Sequence, residues 1–210
     1  MSTAPLRLAV VALSALVILS GCSKDDEDPS PSSSSDGSSD REITLPDSVG
    51  DLPSFEDACA ARDENVDQCL DNAEARLEVA LAAADNLSEA YDGASATARE
   101  YAAEELDQFA EVLAVAASSP GLWTTDSEAS AEYSHIGHPR EWVEERDGVQ
   151  CLAVTPSLVR QGEELEPDNV IVTRCQATGD GLTVIVIPGG GETTFDEAFE
   201  WTNEAFDAAS

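Results

Sequence analysis

Residues 170–187, Val-Ile-Val-Thr-Arg-Cys-Gln-Ala-Thr-Gly-Asp-Gly-Leu-Thr-Val-Ile-Val-Ile, decide the fold class of this chain. Two runs rich in β-branched residues flank Gly179-Asp180-Gly181, and this pattern predicts an antiparallel hairpin. Upstream, residues 142–154 contain two further strand-like runs, separated by Asp147-Gly148, a dipeptide typical of two-residue hairpin turns. We therefore predict a small sheet of four mostly antiparallel strands.

A helix is predicted directly after this hairpin, at the end of the chain. Thr194 and Glu197 have the spacing of a capping box, and the helix is expected to run from about Phe195 to Ala208. Its apolar face consists of Phe195, Phe199, Trp201, Thr202, Ala205 and Phe206. Because these residues recur at helical spacing, we expect the helix to cover one face of the sheet.

The preceding region, residues 43–121, is predicted to be a helical hairpin. From Val66 to Tyr91 apolar residues recur every three or four positions, with Asn65 and Gln68 as a capping box and Asp92-Gly93 as the end. A second helix is predicted from about Thr97 to Ala116, with Glu100 in the capping position. The fold class is thus α+β: a helical hairpin, then a sheet with a C-terminal helix in residues 122–210.

Four cysteines follow residue 40: Cys59, Cys69, Cys151 and Cys175. An even number in an exported chain favours two disulfides, and three connectivities are possible. A bridge between Cys151 and Cys175 is preferred, because both lie on predicted strands. If Cys59 pairs with Cys69, the chain must turn near residues 62–65, since one continuous helix would hold their Cα atoms about 15 Å apart. A short helix capped by Ser54 would then be joined to the start of the long one.

The first 22 residues carry an export signal. Arg7 is followed by an apolar run of about a dozen residues, shorter than the roughly 20 that a transmembrane helix needs. The run ends in Leu19-Ser20-Gly21-Cys22, which resembles the lipobox of bacterial lipoproteins. The resemblance implies a signal peptide over residues 1–21, cleavage before Cys22, and lipid on that cysteine. The alternative is an ordinary secretory signal or a short uncleaved anchor.

Residues 22–42 are predicted to be a disordered linker rich in serine and acidic residues, because they contain too few apolar side chains to form a core. The whole chain has 43 Asp and Glu against 10 Lys and Arg, a formal net charge of −33. Such a charge excludes nucleic acid as a partner, since phosphates require basic side chains. It would attract basic partners or divalent cations. The alternative, which we favour, is that the acidic residues keep the protein soluble in a salty exterior or reflect a bias of the whole proteome.

Two segments contain residues that could take part in chemistry. His135 and His138 are weak candidates for a metal site, because Gly137 and Pro139 indicate a loop and two ligands are too few for zinc. The run Pro188-Gly-Gly-Gly191 precedes a helix, where phosphate loops occur. However, acidic residues already occupy that helix start and would repel an anion, so a plain turn is predicted. We expect no cofactor and no metal.

Two motifs resemble the PsbP/Mog1-like sheet domains of some exported lipoproteins: Pro139-x-x-Trp142 and Pro167-x-Asn169-Val170-x-Val172. They cover less than half of the chain. The resemblance implies a sheet domain of the binding type and assigns no functional residues. The sequence therefore predicts a lipid-anchored protein on the extracytoplasmic face of a cell membrane, acting as a non-enzymatic binding module for another envelope protein. The alternative is a small extracellular hydrolase or metal-dependent enzyme that uses His135 and His138.

Overall fold

A six-stranded antiparallel sheet forms the centre of the computed structural model, which describes residues 41–191 and 193–210. Its strands are β3 (Ala96–Ala102), β4 (Gln108–Val115), β5 (Glu141–Arg146), β6 (Val149–Val154), β7 (Ile171–Gly179) and β8 (Leu182–Gly190). Their order across the sheet is β3-β4-β8-β7-β6-β5. Two short strands, β1 (Ser48–Val49) and β2 (Leu52–Pro53), pair separately with each other.

Helices cover parts of both faces of this sheet. They are α1 (Phe55–Ala60), α2 (Val66–Ala90), α3 (Glu128–Tyr133) and α4 (Phe195–Ala209), with a 3-10 turn at Pro167–Asn169. Helix α4 lies across β6, β7 and β8 on one face, and α2 lies over β3 and β4 on the other. The α+β class and the C-terminal helix are thus confirmed. Among the described residues, no helix is long and apolar enough to cross a membrane.

Both predicted hairpins form with two-residue turns. Asp147 and Gly148 join β5 to β6 with φ angles of 50° and 84°, and Asp180 and Gly181 join β7 to β8 with φ angles of 48° and 73°. These left-handed conformations match the twist of paired strands, which explains why Asp-Gly occupies both turns. The capping box of Thr194 with Glu197 is also present.

The predicted second helix, Thr97 to Ala116, is wrong: these residues form the hairpin of β3 and β4. Both faces of β4 are buried, by α4 on one side and α2 on the other, so residues 112–116 read as a continuous apolar run. A run of this kind does not distinguish a doubly covered strand from a buried helix. The helical hairpin is therefore absent from the described residues, and Glu100 lies on a strand rather than at a helix start.

The sheet consequently has six strands rather than four and continues across residue 121. The predicted cap of α2 is also wrong, because Asn65 has a left-handed backbone (φ 57°) and makes no side-chain capping bond. This left-handed residue lies in the sharp turn between α1 and α2, whereas a side-chain cap ordinarily requires an extended backbone at that position.

The main core lies between α4 and the sheet. Its largest members include Tyr101, Leu182, Val184, Val186 and Trp201. Burial raises the pKa of Tyr101 to about 12, and its hydroxyl donates a 2.7 Å hydrogen bond to the Pro46 carbonyl. This bond fixes the segment before β1 against the outermost strand.

Two disulfides join the four cysteines that follow residue 40. Cys151 and Cys175 face each other on β6 and β7, as preferred from the sequence. Cys59 and Cys69 join α1 to α2 across a turn at residues 61–65, with Ser54 accepting a hydrogen bond from the Asp57 amide at the start of α1. Cys22 and the linker up to residue 40 lie outside the described residues.

Candidate functional site

A cleft of 350 Å³ lies beside β3, where the sheet ends, and is enclosed by α1 and α2. We call it the edge cleft. Its apolar lining is Phe55, Leu70, Ala73 and Leu77, and its polar lining is Ser54, Glu56, Asp71, Glu74, Arg99 and Glu100. The lining thus combines an apolar wall with several carboxylates, a combination suited to a ligand that is both cationic and partly apolar.

The position of α1 in this cleft depends on two local features. The Ser54 hydroxyl caps the helix through the Asp57 amide at 3.1 Å, and the Cys59–Cys69 disulfide ties its far end to α2. Helix α1 has only six residues and would be marginal alone. The disulfide therefore holds Phe55 and Glu56 at the cleft.

Arg76 is fixed beneath α2, next to the cleft. It donates to the two carboxylate oxygens of Glu100 at 2.6 and 3.2 Å, and its guanidinium lies 5.0 Å from the ring centres of both Phe55 and Phe109. Burial and the neighbouring Glu100 carboxylate raise the pKa of Glu111 above its usual value, against the lowering influence of Arg76. Arg76 thus forms its ion pair with Glu100 and influences Glu111 through its charge alone.

Arg99, the other base at the cleft, is also engaged. It donates to the Pro46 carbonyl at 2.7 Å and to Asp47 at 3.2 Å. The exposed carboxylates of Glu56, Asp71 and Glu74 therefore determine the charge that a ligand meets. The cleft attracts cations.

The two histidines are not brought into a metal-binding group. His135 is exposed, whereas the Nδ1 atom of His138 lies 2.8 Å from the Pro139 carbonyl and its ring packs edge-on against Trp142. Within residues 41–191 and 193–210, no three His, Cys, Asp or Glu side chains are placed to hold a metal ion. His138 therefore has a packing role against the sheet.

Most of the glycine run of residues 189–191 forms the end of β8 rather than a free turn. Gly189 and Gly190 pair with Phe109 and Gln108 of β4. A Cβ atom at Gly189 would lie 2.2 Å from the Phe109 ring, so a side chain there would displace that ring. These glycines are explained by close packing at the start of β4.

The sequence does not reveal the edge cleft, because Leu77 belongs to the apolar stripe of residues 66–91 and such a stripe is expected to pack in a core. In the structure Leu77 is 40% exposed, since α2 covers a sheet edge rather than a second helix. The width of the apolar stripe on α2 is the feature of the sequence that could have indicated the cleft. Its alanines pack on the sheet, and Leu70, Leu77 and Leu81 lie to one side of them. Comparisons with protein families, curated proteins and solved structures found no match for this chain.

Proposed function

We propose that this protein is a lipoprotein, anchored through Cys22 on the extracytoplasmic face of a cell membrane, whose folded part binds a basic segment of another envelope protein. The edge cleft is the binding site in this proposal. The observation that supports it most is the juxtaposition of an apolar wall, half-buried Leu70 and exposed Leu77, with the carboxylates of Glu56, Asp71 and Glu74.

The charge of the chain supports a basic partner. With a formal net charge of −33, the protein repels acidic proteins and anionic lipid head groups, and it attracts basic segments over distances of about 8 Å at physiological salt. Lipid on Cys22 would keep the protein at the membrane despite this repulsion. The linker of residues 22–42 would let the folded part bind a partner at some distance from the lipid surface.

Binding is proposed rather than catalysis because the cleft carries no recognisable set of reacting groups. Catalysis of acyl transfer requires a nucleophile within hydrogen-bond reach of a base. The hydroxyl of Ser54, at the cleft, instead donates to Asp57 at 2.6 Å and caps α1. An apolar wall with carboxylates at its rim is suited to binding a basic side chain or segment more than to breaking a bond in the ligand.

The anchor is tested by Cys22→Ser. Cells that express the unchanged chain are expected to incorporate labelled palmitate into it and to retain it in the membrane fraction. The serine variant is expected to lose both properties, because serine has no sulfur with which to form the thioether to lipid and its hydroxyl is a far weaker nucleophile than a thiolate. Persistent palmitate labelling of the variant would contradict the assignment of Cys22.

The cleft is tested by site-specific photo-crosslinking on intact cells. A photoreactive phenylalanine analogue at Leu77 is expected to yield a discrete adduct with one envelope protein. The same analogue at Val79, which is 71% exposed on the opposite flank of α2, is the matched control and is expected to yield no such adduct.

Raising the salt concentration from 0.15 to about 1 M is expected to abolish the Leu77 adduct, because the Debye length falls to about 3 Å. Equal adducts from both positions, or none from Leu77, would refute the proposed site.

A further inference from the structure

Two glutamines lie next to each other on the face of the sheet opposite α4, where β5, β6 and β7 are neighbours. On β6 and β7, the buried residues Val149, Cys151 and Cys175 pack toward α4. Side chains alternate between the two faces of a strand, so Gln150 and Gln176 point to the opposite face. They occupy directly opposed positions on β6 and β7, which brings their side-chain amides close together.

These glutamines line a pocket of about 200 Å³, which we call the amide pocket. Gln176, 5% exposed, lies at its floor. The rim is formed by Glu145, Gly148 and Thr178, and all three are exposed. The amide pocket is therefore open to solvent. It lies in a different half of the sheet from the edge cleft, which borders β3.

The segment 117–122 crosses this face of the sheet and fixes both amides. The Nε2 atom of Gln176 donates to the Pro120 carbonyl at 2.8 Å. The Oε1 atom of Gln150 accepts from the Leu122 amide, also at 2.8 Å. Because a backbone carbonyl only accepts and a backbone amide only donates, these two bonds determine which way each side-chain amide is oriented. The amide pocket is thus pre-formed for a ligand.

Each glutamine keeps one hydrogen-bonding group for that ligand. In the described part of the chain, no group donates to the Oε1 atom of Gln176, whose Nε2 atom is occupied by Pro120 and Thr178. The Nε2 atom of Gln150 donates one N–H to Glu145 at 3.0 Å, and its second N–H has no acceptor among the described residues. The floor of the amide pocket therefore presents an acceptor beside a donor.

An acceptor beside a donor is complementary to a secondary amide, whose N–H donates and whose C=O accepts. The remaining polar lining, the hydroxyls of Ser119 and Thr178 and the carboxylate of Glu145, is suited to the hydroxyl groups of a sugar. Trp123, which is 73% exposed, follows Gly121 of the lining by two residues and offers an aromatic surface close to the pocket. The formal net charge of −33 disfavours anionic glycans.

We propose that the amide pocket binds an N-acetylated amino sugar of a neutral glycan. The acetamido N–H of the sugar donates to Oε1 of Gln176, and the acetamido C=O accepts from Nε2 of Gln150. Glu145 accepts from a sugar hydroxyl. The volume is below the roughly 300 Å³ at which pockets for drug-sized ligands begin, so the pocket holds one sugar unit. This inference goes beyond the proposed binding of a basic segment and does not depend on it.

The experiment titrates the full-length protein in phosphatidylcholine nanodiscs with chitotriose, a trimer of N-acetylglucosamine, and follows binding by saturation-transfer difference NMR. Cellotriose has the same linkage without acetamido groups and is the matched control ligand. Chitotriose is expected to bind with the strongest saturation at its acetamido methyl protons. Cellotriose is expected to bind at least about tenfold more weakly, because it cannot form the hydrogen bonds to the two glutamines.

Gln150→Glu tests the donor in the amide pocket. A carboxylate oxygen still accepts from the Leu122 amide, but the N–H groups are lost, so the affinity for chitotriose is expected to fall at least about tenfold. Gln161→Glu adds the same charge at an exposed residue and is the matched control, with unchanged affinity expected.

A second pair of variants tests the site if Gln150→Glu fails to fold. Thr178 is exposed on β7, and tyrosine is well suited to a strand. Thr178→Tyr is therefore expected to fold and to abolish chitotriose binding by filling the pocket. Ile171→Tyr, at an exposed position near the other end of β7, is the control and is expected to leave binding unchanged.

Preference for chitotriose over cellotriose, lost in Gln150→Glu or Thr178→Tyr and kept in their controls, supports the proposal. Absence of chitotriose binding, equal affinity for the two trimers, or undiminished binding by both pocket variants overturns it. Trialanine with an acetylated N-terminus and an amidated C-terminus offers secondary amides without hydroxyls. Binding of this peptide as tightly as chitotriose would overturn the assignment to a sugar and indicate a peptide ligand instead.

Discussion

Replacing both Cys151 and Cys175 by alanine is expected to lower the free energy of unfolding by about 3–5 kcal/mol. The two cysteines occupy directly opposed positions on β6 and β7, with Cα atoms 4.0 Å apart, and neither is exposed. The bridge closes a loop with a sequence separation of 24 residues, which accounts for about 3 kcal/mol through the entropy of the unfolded chain. The remainder comes from lost packing against Val149 and Phe199.

Denaturant unfolding followed by circular dichroism measures this effect, and the pair Cys59→Ala and Cys69→Ala is the matched control. That control removes a bridge with a separation of only 10 residues at the border of the sheet. It is expected to cost about 2–3 kcal/mol and to release α1. The control should therefore impair the edge cleft more than the sheet. A cost below about 1 kcal/mol for the Cys151 and Cys175 pair would contradict the central role of that bridge.

Trp201→Ala is expected to destabilise the protein by about 3–5 kcal/mol. Trp201 is 3% exposed in the core between α4 and the sheet. Gly50 lies against its indole ring, and a Cβ atom added there would be 2.5 Å from Nε1. Gly50 has a φ of 55°, a left-handed conformation that glycine adopts without strain, and this allows its backbone to lie against the indole ring whose loss would leave a cavity.

The matched control for this substitution is Trp123→Ala, at a tryptophan that is 73% exposed. It removes the same side chain without leaving a core cavity, and it is expected to change the free energy of unfolding by less than about 0.5 kcal/mol. Equal destabilisation by the two alanine variants would show that the core between α4 and the sheet is not the main source of stability.

Only part of the edge cleft could be predicted from patterns in the sequence. Ser54 as a cap and the turn between Cys59 and Cys69 were predicted from local spacing, because capping and disulfide geometry act over about ten residues. Arg99 and Glu100 at the cleft were not predicted. They lie on β3, which the pattern assigned to a helix, and their proximity to Leu77 depends on the placement of α2 over the sheet edge.

The sequence by itself determined the elements whose signals are local: the two Asp-Gly hairpins, the capped C-terminal helix, and the long helix that begins at Val66 and ends at Ala90, just before Asp92 and Gly93. Turn conformations and the caps of α1 and α4 depend on a few neighbouring residues, whereas the cap predicted at Asn65 fails because the turn between α1 and α2 places that residue in a left-handed conformation.

Only the tertiary structure decided whether residues 96–115 form a helix or a hairpin, because an apolar run buried on both faces satisfies either pattern. Because α2 and α4 bury the two faces of this region, the residues form strands rather than a helix, and the sheet has six strands instead of four. Ala96 and Ala98 then lie on β3, the strand at its edge.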